Sequence, residues 1–202
     1  MKTNNMSTNG KLLGLFFLSG IAALIYQVCW QRLLFSWFGV DIESITIIVS
    51  LFMFGLGLGA LVGGWLADHY ANKQLLIFCL IEIGIGLIGA SSPFTITAAG
   101  QYFQGASHTA LFLLGFALLV PPTMLMGASL PVLVAFVNRT LKSIGLSIGS
   151  LYFANTLGAA AGSIGAAFIL FVNFTLNESI FVAASVNITV AIFAYIVART
   201  SR

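Results

Sequence analysis

"FMFGLGLGALVGGWLADHYANK", residues 52–73, decides the fold. No charged side chain occurs before Asp68, and with the residues back to Ser44 the apolar run covers 44–67. A helix of ~20 apolar residues crosses ~30 Å of hydrocarbon, so this stretch reads as a membrane span. Gly55, Gly59 and Gly63 recur at every fourth position and therefore share one helix face. Lipid tails provide no hydrophobic drive between helices, so a face of small residues signals close backbone approach. Two uses fit it: packing inside one bundle, or an interface between copies.

The rest of the chain has the same character. Of its 202 residues 59% are hydrophobic and 6% charged, against about 25% charged in a soluble domain. Six apolar segments follow one another, at about 12–31, 44–67, 74–96, 109–137, 147–172 and 179–198. Spans and short loops use up residues 1–202, which predicts an all-α, single integral-membrane domain. The first span is too long for a signal peptide and lacks an A-x-A cleavage site, so it is expected to be retained. Placing the N-terminus in the cytoplasm puts Lys2, Lys11, Lys73, Arg139, Lys142, Arg199 and Arg202 on that side and leaves Arg32 outside, beside Asp41 and Glu43. Both termini are then cytoplasmic. The net charge of +3 reports this asymmetry; clustered Lys/Arg on one face, as nucleic acid would need, is not present. Cys29 and Cys79 fall at different depths and read as apolar packing residues.

Polar residues within the spans are the functional candidates. Glu82 lies about 12 Å into the third span. A carboxyl at that depth is costly and faces a bundle interior or a wet cavity. Tyr152 and Asn155 enter the fifth span from the same side to a similar depth and are its expected partners. The group could be a proton or cation site, or a carboxyl that locks helices together. In "YQVCWQRLL", residues 26–34, Tyr26, Trp30 and Arg32 read as interfacial anchors. Gln27 lies deeper, and its amide needs a partner such as Ser50. The candidate substrate or proton site thus comprises Glu82, Tyr152, Asn155, Gln27 and Tyr26. Pro121 and Pro122 fall mid-span, with Pro131 beyond, where proline removes a hydrogen bond and breaks or kinks a helix; the pair reads as a hinge, a cavity wall or static packing. No catalytic set, metal cluster or cofactor loop is evident, and His69 and His108 fall on opposite sides.

The loop after the second span carries Gly64, Asp68 and Lys73. It resembles the cytoplasmic signature G-x-x-x-D-x-x-G-R-K/R of major facilitator transporters, with Ala71 and Asn72 replacing Gly-Arg. Asp68 at a helix C-terminus opposes the dipole and calls for a partner, such as Lys73 or Arg139, unless it is a solvated loop acid. A broader resemblance joins "FFLSGIAALIYQVCWQRLL" (16–34), "FMFGLGLGALVGGWLADHY" (52–70), "IEIGIGL" (81–87), "PPTMLMGASLPVL" (121–133) and "GSLYFANTLGAAAGSIGAAFIL" (149–170). Together these resemble the integral-membrane domain of the spermidine-synthase-like membrane proteins, itself similar to half of a major facilitator transporter. That family often has Glu where this chain has Gln27.

The resemblance implies a half-major-facilitator-like bundle of six helices in a bacterial inner membrane. Many relatives continue into a soluble synthase-like domain, whereas this sequence stops at "ARTSR". The expected function is therefore a non-catalytic membrane protein that binds, moves or presents a polyamine-like or lipid-linked substrate for a separate synthase-like partner. A scaffold without a substrate path is the alternative. A membrane enzyme is disfavoured, and any catalysis is assigned to a separate chain. No cofactor is expected. The two halves of a full transporter also suggest a homodimer, or a pair with a similar half. Gly55, Gly59 and Gly63 would approach Gly158 and Gly162 of the partner subunit, and Asp68 would approach the amides around Ile148 and Gly149 of the partner subunit.

Overall fold

The computed structural model describes residues 2–39, 42–103 and 108–200; Asp41 and Arg202, invoked for the charge asymmetry, lie outside them. The described chain is helical. α1 runs Lys2–Phe38, α2 Ile42–His69, α3 Gln74–Tyr102, α4 His108–Leu141 and α6 Leu176–Thr200. Between the last two, α5 begins at Ile144–Gly165 and continues through a π turn, Ala166–Leu170, and a last turn, Phe171–Asn173. Six stretches are long and apolar enough to cross a membrane, from Thr8–Trp37 (30 residues) to Leu176–Arg199 (24 residues). The helices contain the expected apolar runs and continue past their ends.

Local chemistry closes the hairpins. At the α2–α3 turn the Lys73 amide donates to the Tyr70 carbonyl (2.8 Å), and the Gln74 side chain donates to the Ala67 carbonyl (3.0 Å). α6 opens with a capping box. The Thr175 amide donates to Glu178 Oε2 (2.8 Å), and the Glu178 amide returns a bond to Thr175 Oγ1 (3.3 Å).

The helices pair as α2 on α4, α1 on α5 and α3 on α6, with α1–α6 and α3–α4 contacts joining the pairs. Glycine decides two of these pairings. Gly55 sits against Thr123, Gly59 against the Met124 backbone, and Gly63 against Ala128 and Pro131, while Gly127 of α4 meets the Leu56 backbone in return. Across the bundle Gly158 meets Phe17, Gly162 meets Ile21, and Gly20 of α1 meets the Asn155 backbone. A methyl at any of these positions would strike its neighbour. Both glycine faces are thus occupied inside one chain, which corrects the intersubunit contact expected between them. The spacing announces close approach but not the helix that approaches.

The prolines lie within a continuous helix. α4 stays helical through Pro121, Pro122 and Pro131. They therefore do not break it. Pro122 and Thr123 are buried, and the Thr123 hydroxyl donates to the Leu119 carbonyl at 2.7 Å. Departure from α geometry falls instead in the π turn of α5. Outward surfaces are apolar; Leu61 is 75% and Phe168 76% exposed.

Candidate functional site

Glu82 is fully buried, on the face of α3 that meets α1 and α6. Ser19 Oγ of α1 donates to Oε1 at 2.7 Å, and Asn187 Nδ2 of α6 donates to Oε2 at 2.6 Å. One carboxyl thereby ties three helices. The expected partners Tyr152 and Asn155 make neither bond. Their helix packs on α1 and α4, while α3 packs on α6, α4 and α1. Equal depth did not mean adjacency. Ser19 and Asn187 were missed by sequence reasoning. Asn187 could have been found as an amide in the apolar run "ASVNITVA", residues 184–191, where a polar group needs a partner; Ser19 gives no comparable signal.

Ser19 and Asn187 also line a cavity of about 410 Å³ to which all six helices contribute. Gln27 of α1, Met53 of α2 and Ile85 of α3 form part of its wall, together with Tyr152, Asn155 and Thr156 of α5. The structure thus gathers Glu82's two partners, Gln27, Tyr152 and Asn155 around one space. A volume of this order is within the range of small-ligand sites, roughly 300–1,000 Å³. Asn187 is 1% exposed, and with its amide nitrogen committed to Glu82 its Oδ1 has no hydrogen-bond partner.

Tyr26 and Trp30 are not interfacial anchors: they are 0% and 2% exposed, with rings stacked 5.0 Å apart. They belong to a joint between α1 and α3. Pro93 in α3 cannot donate to the Gly89 carbonyl one turn earlier. The Ser92 hydroxyl donates to that carbonyl instead (2.7 Å), and Trp30 Nε1 donates to Ser92 Oγ (2.7 Å). Gly89 packs directly against the Tyr26 ring. Arg32 is exposed and lies 4.3 Å over the Phe171 ring. Cys29 and Cys79 are buried free thiols.

The loop signature is divided between two hollows. Gly64 and Asp68 line a groove of about 420 Å³ with Ile144 and Ile148 of α5. The start of α5 in the same chain borders this groove, and Asp68 itself is exposed. Lys73 lies in a separate hollow with Asn72 and Arg139, where Arg139 Nη1 donates to Asn72 Oδ1 at 3.5 Å. Among the described residues Asp68 pairs with neither cation. None of those residues forms a group of three or more His, Cys, Asp or Glu that could hold a metal.

Comparison with known proteins gives these helices a context. A protein of Oceanobacillus iheyensis named polyamine aminopropyltransferase is 27% identical over 172 residues, which is 85% of this chain and 32% of the relative. Its namesake in Mycobacterium tuberculosis is 28% identical over 173 residues, 83% of this chain and 32% of the relative. The chain is similar to polyamine aminopropyltransferases. A third relative, polyamine aminopropyltransferase 2 of Streptomyces coelicolor, is 24% identical over 160 residues, covering 76% of this chain and 28% of itself. The chain spans about a third of the length of these curated relatives. No protein-family model matches it. No solved structure matches it either.

These names overturn the expected function. The relatives are named for an enzyme, so the reading of a non-catalytic protein, whether presenting substrate to a separate synthase or acting as a scaffold, is withdrawn. It had leaned on the lack of a catalytic set within the sequence, which does not bear on a region that matches only a third of its relatives.

Proposed function

We propose that this chain forms the membrane-embedded part of an enzyme that transfers an aminopropyl group to a polyamine. The observation that carries this is the extent of the similarity: 76–85% of the chain aligns with proteins of that name, from three organisms. Six apolar helices of sufficient length support its placement in a bilayer. The Lys/Arg asymmetry favours a cytoplasmic membrane with both termini inside. The pairing of α1 with α5 and α2 with α4 around one cavity supports a half-transporter-like arrangement.

Within such an enzyme the Glu82 centre holds α1, α3 and α6 in register beside the cavity. The test is genetic and chemical. Removing the gene from its native cell is expected to lower the pool of aminopropylated polyamines, measured by mass spectrometry. Restoring the intact gene should restore the pool. An unchanged polyamine profile after removal, in a cell without a second enzyme of this kind, contradicts the proposal.

A further inference from the structure

Lys73 and Arg139 line one hollow of about 200 Å³, bordered by Asn72 at the α2–α3 turn and by Ala198 near the end of α6. Among the described residues no Asp or Glu lines it; Asp68, the acid nearest to Lys73 in sequence, lines the other groove. α3 begins here with no side-chain cap, so the positive end of its dipole adds to the two cations. An apolar groove of about 520 Å³ adjoins the hollow, and Leu76 lines both. The groove follows α3 as far as Ile83 and α6 from Ile196 back to Ile188. That is ~10–12 Å along each helix, less than half of the ~30 Å hydrocarbon core. At its mid-span end the Ile188 side chain lies over Gly86, and farther on the Phe94 and Phe181 rings meet 6.4 Å apart, so α3 and α6 close. At the other end stands a third cation: Arg199 Nε donates to the hydroxyl of Tyr195 at 3.1 Å, and Tyr195 lines the groove.

An apolar groove one leaflet deep, with cations at its mouth and closed at mid-span, matches a molecule with an anionic head and an aliphatic tail. A partner's membrane helix would need a face along the whole span and would not call for cations at one end. A zwitterionic lipid would bring an ammonium group that no acid in the hollow can meet. We infer that the Lys73–Arg139 hollow and the α3–α6 groove together bind one anionic phospholipid of the surrounding leaflet. Its headgroup phosphate sits on the two cations, and one acyl chain lies in the groove. Basic pockets between helices at the cytoplasmic face are a recurrent setting for such headgroups. The inference rests on the placement of the bundle in a bilayer and not on aminopropyl transfer.

The test uses the full chain purified in mild detergent and titrated with phosphatidylglycerol or with phosphatidylcholine of the same acyl chains, bound lipid being counted by native mass spectrometry. Each cation beside an anionic lipid contributes about fivefold, so phosphatidylglycerol should bind at least about tenfold more tightly. Lys73→Gln combined with Arg139→Gln should bring the two lipids within about threefold of each other. Leu80→Trp, at an exposed position in the groove, should weaken both lipids by about threefold or more, because packing contacts along the chain are lost. Equal affinity of the two lipids for the wild-type chain, or unaltered binding in either folded variant, would overturn the site. Inorganic phosphate that competes as strongly as added phosphatidylglycerol would assign the hollow to a free anion. A lipid-free dimer that Leu80→Trp dissolves would assign the groove to a second copy; either result overturns the proposal. Loss of the lipid preference with transfer retained removes this site alone, and loss of transfer with the preference retained removes the transfer reading alone.

Discussion

At Glu82 the relevant cost is that of stranding its partners rather than of removing its charge. Glu82→Gln keeps an oxygen for the Ser19 hydroxyl and should lose about 1 kcal/mol or less. Glu82→Leu leaves both the Ser19 hydroxyl and the Asn187 amide without an acceptor. Each hydrogen bond between membrane helices is worth about 0.6 kcal/mol on average and up to about 1.7, so the Leu variant should lose on the order of 2 kcal/mol. Thermal unfolding of both variants in one detergent checks this, and equal losses would show that the two bonds carry no stability. Gly89→Ala pushes a methyl into the Tyr26 ring and should cost about 1–3 kcal/mol, as overpacking does; a wild-type melting temperature would refute that contact. The buried, paired state of Glu82 was legible in the sequence, because its depth left few other options. Its partners were not, since many hydroxyls and amides lie at comparable depths and depth alone does not choose the neighbouring helix. Tyr26 and Trp30 were misjudged for a related reason: position near a span's end suggests an anchor, but burial depends on which way the ring turns.

For a single helix, the glycine spacing made a sharp statement and an incomplete one. It marked the faces of α2 and α5 that approach other backbones, and both do. It did not name α4 and α1 as the recipients. Gly59→Val should force α2 away from α4 at Met124 and cost about 1–3 kcal/mol. Gly57→Val makes a matched control, because nothing lies within 4 Å of an added Cβ there; its effect should stay within about 0.5 kcal/mol. Comparable losses at positions 57 and 59 would mean that backbone stiffening, not helix contact, dominates. The prolines show the opposite limit. Their missing donors are certain from sequence, yet α4 absorbs them without a break, and among the described residues the π turn 166–170 falls in a segment without proline.

For the molecule as a whole, the six-helix architecture was legible because apolar length is read directly from composition. Function was not, because apolar spans carry few reactive side chains, and the enzyme names came only from comparison with relatives. Orientation can be tested with single cysteines at Asn72, on the α2–α3 turn, and Asn177, at the start of α6. With both termini cytoplasmic, an impermeant thiol reagent on intact cells should label position 177 and spare position 72; the reverse pattern would invert the topology. The aminopropyl-transfer assignment itself is tested most directly by chemistry. Native membranes containing the intact gene product would be supplied with an aminopropyl donor and isotopically labelled 1,4-diaminobutane, and the product followed by mass. The expected result is labelled acceptor heavier by one aminopropyl group, absent from membranes of the deletion strain; equal product from both membranes, or none from either, would contradict the assignment.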